Sequence, residues 1–215
     1  MINTIFFDLD GVIIDSEPIH AKAKKLTLDE YGIGYPASIF DDFIGLTDED
    51  FFKYVSVELE KKNRPFEILL QKKQELFIEL LPEMKFVDDF LLFYQEIKNK
   101  GMKTALVSSV STYTFELVDK NFNISHLFDL LVTKKDTVHH KPHPAPYIKA
   151  LQKLPASIES TIVIEDSPNG ITSAKKAGCK VFALTTSFGA EKLTEADEIF
   201  GSYMELSGKL GLTYD

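Results

Sequence analysis

Five short runs in this chain, residues 2–7, 103–107, 129–133, 161–165 and 180–184, are apolar with little polar alternation. A strand with one wet face alternates polar and apolar residues, whereas one buried on both faces does not. Helical patterns separate the runs, as in successive βαβ units. The expected fold class is therefore α/β, with a doubly wound (Rossmann-like), mostly parallel sheet.

Local signals mark the helices. Ser16 can cap a helix that has Pro18 in its first turn and runs toward Tyr31 and Gly32. Residues 88–100 carry apolar spacing at Phe90, Leu91, Tyr94 and Ile97, and end at Gly101. Ser111 can cap a helix bearing Phe115, Leu117 and Val118. Pro146 opens another, with Ile148 and Leu151 on one side, and residues 168–177 lead to Gly178.

About 95 residues separate the first run from the second, far more than one crossover needs. Residues 16–83 read as all-helical, punctuated by Tyr35–Pro36, Arg64–Pro65 and Leu81–Pro82. This predicts an inserted helical cap domain over 16–83 and an α/β core over 1–15 plus 84–215. The linkers fall near residues 15–18 and 81–86. The cap aromatics Tyr31, Phe40, Phe43, Phe51, Phe52 and Tyr54 read as core.

The 215 residues carry a formal net charge of −9. That balance disfavours a duplex-binding surface, which needs clustered Lys and Arg, so no nucleic-acid partner is expected. It does not forbid a small phosphorylated ligand, because one metal ion and one local cation dominate at short range. No apolar run approaches the roughly 18 residues of a membrane span. The N-terminus lacks the basic start of a signal peptide. The single cysteine, Cys179, excludes an intrachain disulfide and fits a reducing, cytoplasmic setting, as a buried thiol without chemistry.

Two of the runs end abruptly in acids. The first is Phe6-Phe7-Asp8-Leu9-Asp10-Gly11-Val12, and the second is Thr161-Ile162-Val163-Ile164-Glu165-Asp166-Ser167-Pro168. Ligands of parallel sheets sit beyond the carboxyl ends of the strands, so these acids lie where chemistry is expected. Grouped carboxylates call for a cation or a proton, and hard cations such as Mg²⁺ take carboxylate oxygens. The alternatives are a solvated acidic turn for the first motif and a dipole-favoured helix start for the second.

Two further segments follow strands or precede helices. In Ala105-Leu106-Val107-Ser108-Ser109 a hydroxyl at a strand end can donate to a phosphate oxygen, or simply cap a helix. In Lys141-Pro142-His143-Pro144-Ala145-Pro146 the prolines can hold Lys141 as a fixed point charge against a phosphoryl group or its acceptor. A solvated loop lysine is the alternative. His139, His140 and His143 raise a zinc reading, but the prolines prevent a helix that would align His139 with His143, and no cysteine is near.

In order and spacing, these four segments resemble the four motifs of the haloacid dehalogenase (HAD) superfamily. They are most similar to the β-phosphoglucomutase-like and phosphoglycolate-phosphatase-like branch, whose first motif DLDGVIxDSExxH corresponds to Asp8 through His20. The fourth motif, EDSxxGIxxAxxAG, corresponds to Glu165 through Gly178. The resemblance spans essentially the whole chain and implies a helical cap after the first motif. It implies that Asp8 attacks phosphorus to form an aspartyl-phosphate, and that Asp10 protonates the leaving oxygen and then activates water. It implies Mg²⁺ held by Asp8, the backbone carbonyl of Asp10 and Asp166, with Glu165 either a ligand or one layer behind. Ser108, Ser109 and Lys141 would hold the phosphoryl group of a small-molecule phosphate ester, and His20, near the cap hinge, would face substrate.

The division of labour is physically coherent. Asp8 must be ionised to attack, whereas Asp10 must begin protonated. An acid at Asp10 points to phosphoryl transfer, because the dehalogenases lack one there. The phosphomutases carry an Arg in a GxxR cap segment to grip a second phosphate. Here that segment is Gly45-Leu46-Thr47-Asp48, and Asp48 would repel a phosphate, which favours hydrolysis over a sugar phosphomutase. Lys73 reads as a solvated cap lysine. His140 and Ala145 stand where Gly and Asp are usual around Lys141. A non-catalytic phospho-switch resembling a receiver domain is disfavoured by the cap insertion. A pseudoenzyme is disfavoured because every chemical group is present.

Overall fold

The structure, a computed structural model, describes residues 2–43, 47–60 and 64–212. Two compact units make up the chain, Met1–Asp15 with Lys85–Asp215, and Ser16–Met84. In chain order the strands are β1 Thr4–Phe7, β2 Ile14–Asp15, β3 Lys85–Phe86, β4 Lys103–Val107, β5 Leu130–Val132, β6 Thr161–Glu165, β7 Lys180–Leu184 and β8 Glu198–Phe200. The helices are α1 Glu17–Glu30, α2 Ile39–Asp42, α3 Asp48–Tyr54, α4 Phe66–Leu80, α5 Phe90–Asn99, α6 Thr112–Phe122, α7 Ala145–Lys153, α8 Pro168–Lys176 and α9 Tyr203–Leu210. Among the described residues no helix is long and apolar enough to cross a membrane.

The first unit is built on a six-stranded sheet of order β5-β4-β1-β6-β7-β8, and every pairing in it is parallel. Side chains alternate faces along a strand, and β1 shows what that requires here. Phe6 joins a cluster with Val107, Val163 and Val181 that is covered by Tyr147 and Ala150 of α7 and by Ile171 and Ala174 of α8. Phe7 faces the other side, edge-on to Phe90 and Phe93 of α5 and to Phe128. Phe93 in turn packs on Tyr203 of α9. Both faces are thus sealed, which is why the apolar runs do not alternate. Cys179 is buried in the first of these layers, and burial pushes its thiol up to about 11.

Several local expectations need correction. The first strand begins at Thr4 rather than residue 2. An edge strand absent from the sequence reading, β8, joins the sheet. It is half-buried, has only three residues and starts at Glu198, which pairs with Lys180 and Lys209, so it is too short to stand out as an apolar run. Ser16 stands at the start of α1 without a side-chain cap bond. Ser111 does cap α6, accepting from Thr114 N. In α7 the inward face is Tyr147 and Ala150, while Ile148 is 38% exposed. The short strands β2 and β3 pair antiparallel, Ile14 with Phe86 and Asp15 with Lys85.

The second unit packs α1, α3 and α4 around Leu28, Ile33, Ile39, Phe51, Phe52, Val55 and Leu69. Tyr31, Phe40 and Phe43 lean on that core, and Tyr54 is 40% exposed. Gly45 and Leu46 of the GxxR-like segment lie outside the described residues. The acidic stretch that follows them has a structural cause, because Thr47 and Asp50 form a capping box at the start of α3.

Lys73 is not solvated: it is 2% exposed. Its ammonium lies 2.5 Å from Asp48 Oδ2 and 2.7 Å from His20 Nδ1. Lys24, also buried, lies 3.5 Å from Asp48 Oδ1. Burial raises the Asp48 carboxyl, but Lys73 outweighs that and holds it below its usual range. His20 stacks on Phe77, and burial together with Lys73 pushes its imidazole down to about 3. Asp48 is therefore not a bare negative charge, and the expectation that it repels phosphate fails. Two lysines face it.

Candidate active site

The order β4-β1-β6 sets three motif-bearing strands side by side, with Phe7 in register with Leu106 and with Ile164. Their carboxyl ends therefore meet. Asp8 continues the ladder through its N–H to Ile164 O at 3.1 Å, and Ser108 through its N–H to Val132 O at 2.9 Å. Glu165 closes β6, and Asp166 follows it. One ligand oxygen each from Asp8, Glu165 and Asp166 fall within 4.8 Å of one another.

Lys141 reaches this cluster from the loop before α7. Its ammonium donates to Asp8 Oδ1 at 2.5 Å, Glu165 Oε1 at 2.6 Å and Val107 O at 2.8 Å. These three bonds use all three of its N–H groups. Burial alone would lower the Lys141 pKa, but Asp8 and Glu165 outweigh it and the ammonium is held charged above its usual range.

The carboxylates show the opposite imbalance. Burial, with repulsion from Glu165 and Asp10, pushes Asp8 up to about 7 against the pull of Lys141. Burial and then the charges of Asp8 and Glu165 raise Asp166 well above the carboxylate range. One ammonium does not neutralise this group, and a divalent cation would supply the missing charge. The donor set, hard carboxylate oxygens without sulfur or imidazole, fits Mg²⁺.

Hydroxyls surround the acids. Ser108 Oγ accepts from Val110 N at 3.1 Å, leaving its own proton to donate outward. Ser109 Oγ is buried and has no hydrogen-bond partner among the described residues. Ser187 donates to Asp166 Oδ2, and Thr186 donates to the Gly11 carbonyl. The sequence reading missed these last two, although Thr185-Thr186-Ser187 is a hydroxyl run at the end of β7 and the strand-end rule applied to Ser108 would have found it. It also missed Tyr147, whose hydroxyl bonds Glu165 Oε1 at 2.6 Å. An aromatic in an amphipathic helix reads as core, which its ring is.

Among the described residues, the histidines of the Lys141 loop join no group of three or more metal-type ligands. The rings of His139 and His143 lie 4.6 Å apart. However, His143 Nδ1 accepts from Ala145 N at 3.2 Å. That bond leaves the ring proton on Nε2, the atom a metal would need. The metal-type cluster found among the described residues is the carboxylate one. In the second unit His20 is held by Lys73 and Phe77.

Known proteins resemble this chain in sequence and in fold. The model of the haloacid dehalogenase-like hydrolases matches residues 5–184. The chain is 31% identical over 196 residues to the pyrophosphatase PpaX of Bacillus mycoides (strain KBAB4), covering 91% of this chain and 89% of that one. Among solved structures, CbbY from Rhodobacter sphaeroides in complex with phosphate superposes with a TM-score of 0.79 at 24% identity, covering 99% of each chain. A HAD family hydrolase from Deinococcus radiodurans R1, with bound phosphate and sodium, gives 0.83 at 22% identity over 100% and 99% of the two chains.

Proposed function

The chain belongs to the haloacid dehalogenase-like hydrolase family, and from that premise we propose that it is a Mg²⁺-dependent phosphatase acting through an aspartyl-phosphate on Asp8. The coarser statement, a phosphatase- or pyrophosphatase-like hydrolase, follows from the family and its relatives. The observation that carries the finer one is the Lys141 ammonium, 2.5 Å from Asp8 Oδ1 within a cluster of three carboxylates. It sets a fixed positive charge against the acid that must be ionised to attack.

Asp8, Asp166 and the Asp10 carbonyl would hold Mg²⁺, which offsets negative charge on the acids and on the phosphoryl oxygens when bound. In the first step an Asp8 oxygen forms a bond to phosphorus, the bond to the ester oxygen breaks, and Asp10 donates its proton to that leaving oxygen. In the second, a water attacks the same phosphorus, Asp10 takes the water's proton, and Asp8 is released with inorganic phosphate. Ser108 and Ser109 would donate to phosphoryl oxygens, and Lys141 would stabilise charge spread across them. To touch a phosphoryl oxygen directly, Lys141 must exchange one of its three present partners. Val107 O is the uncharged one.

The residues over 16–83 would serve as the cap, with His20 facing substrate and the β2–β3 pair as the hinge region. The substrate class is a small phosphate monoester. A second reading, hydrolysis of inorganic pyrophosphate, is favoured by the PpaX relatives. Both use the same nucleophile and differ in the leaving group. Mutase activity loses its electrostatic objection, since Asp48 is countered by Lys24 and Lys73, so it enters the test as a competing outcome.

The test is phosphate release from a panel of sugar phosphates, phosphoglycolate, nucleotides and pyrophosphate, with and without Mg²⁺, for wild type and Asp8→Asn. The expected result is Mg²⁺-dependent release that the variant loses. Isomerisation of a sugar phosphate without release would overturn the hydrolase in favour of the mutase.

A further inference from the structure

Glu165 is wholly buried beside Asp8 and Asp166. By distance alone it would be a third carboxylate ligand for the cation. Its hydrogen bonds also tie it to groups behind the reacting atoms. Oε1 accepts from the Tyr147 hydroxyl at 2.6 Å and from the Lys141 ammonium at 2.6 Å. Oε2 accepts from Ser167 Oγ at 3.2 Å and from Asp166 N at 3.3 Å. An ionised carboxylate has about four acceptor positions, and all are filled. The first turn of α8 closes another side, because a Cβ on Gly170 would stand 2.0 Å from both oxygens.

We propose that Tyr147 is a positioning residue of the catalytic site. The Tyr147 hydroxyl fixes the Glu165 carboxylate, Glu165 fixes the Lys141 ammonium, and Lys141 fixes Asp8. The hydroxyl is the informative atom. The Tyr147 ring lies in the apolar layer with Val163 and Val181, where Phe would pack equally well. A buried hydroxyl is costly without a partner, and its partner here is an anion that orients the active-site lysine. The ring adds a second constraint, since the Lys141 ammonium sits 5.0 Å from its centroid. Charge-assisted bonds of this kind, one layer behind the reacting atoms, set the orientation of the groups in front.

The proposal rests on the phosphatase reading above, and the experiment separates the two. MgCl₂ is titrated calorimetrically into full-length wild type, Tyr147→Phe and Glu165→Gln. Steady-state kinetics are run with p-nitrophenyl phosphate or the panel compound that wild type hydrolyses fastest. Tyr147→Phe keeps the ring and removes only the bond. Its kcat is expected to fall about ten-fold with KM within about two-fold, and Glu165→Gln to lose about 100-fold in kcat. Tyr147→Phe should bind Mg²⁺ with wild-type stoichiometry and within about three-fold of wild-type affinity. A merely structural role would instead lower the binding-competent fraction.

Unchanged kcat in Tyr147→Phe would remove the positioning role. Wild type that neither binds Mg²⁺ nor releases phosphate would sink the underlying reading and the proposal with it. Normal wild-type behaviour with an unaffected Tyr147→Phe sinks the proposal alone.

Discussion

A Cβ on Gly11 would stand 1.8 Å from Asp166 Oδ2. The turn after β1 and the acid after β6 therefore interlock. Gly11 takes φ +68, a left-handed conformation that side chains resist, and its bare Cα leaves room for the Asp166 carboxylate. Gly11→Ala is expected to cost about 1–2 kcal/mol through the backbone. It should also displace Asp166, weakening Mg²⁺ binding by about 10–100-fold. Thermal unfolding with and without Mg²⁺ reads both effects, and an unchanged Mg²⁺-induced rise in Tm would refute the second.

Asp10→Asn removes the proposed acid but keeps the backbone carbonyl expected at the metal. Hydrolysis of an alkyl phosphate should fall about 10²–10⁴-fold, with Mg²⁺ affinity retained in calorimetry. The loss should be smaller for p-nitrophenyl phosphate, whose leaving oxygen needs less protonation. Equal losses on both esters would contradict the general-acid role.

Asp48→Asn leaves Lys73 and Lys24 buried without their carboxylate. Breaking such a pair is expected to destabilise the protein by about 3 kcal/mol. Adding Lys73→Met should restore part of that, because the uncompensated charge is removed. Chemical denaturation of wild type, the single variant and the double variant checks the sign.

His20 should make stability depend on pH in a defined window. Its pKa falls from 6.5 to about 3 on folding, so the unfolded chain takes up the proton first. The stabilisation is complete above pH 6.5 and is lost as pH falls from there toward 3, by up to about 1.4 kcal/mol per unit. Lys73 and Lys24 face the ring and deepen the penalty, while Asp48 opposes it. In His20→Gln the difference from wild type should shrink as the buffer is taken from pH 7 to pH 5. A constant difference would show that His20 does not titrate in this way.

What the sequence made legible follows from how each feature is encoded. The strands carrying Asp8, Ser108 and Glu165 are apolar on both faces because helices cover both sides of the sheet, so local composition reports them directly. The acids stand out because they interrupt those runs. Lys73 was misread because its burial depends on Asp48, which is distant along the chain and on another helix. No local pattern records that partnership. β8 was missed because three residues, one of them charged, are too few to form a recognisable run. Tyr147 and Ser187 act through a single hydroxyl each, and a hydroxyl's partner is a property of the folded chain.

The pairing of Asp15 with Lys85 in the β2–β3 ribbon has an architectural consequence. The chain leaves the first unit and re-enters it at directly opposed positions of an antiparallel pair, so a tight turn would bridge the same two residues. The core topology is therefore indifferent to what is spliced between them. Selection can lengthen, shorten or exchange the intervening segment without redesigning the sheet that carries the chemistry, and a protein engineer can graft there on the same terms.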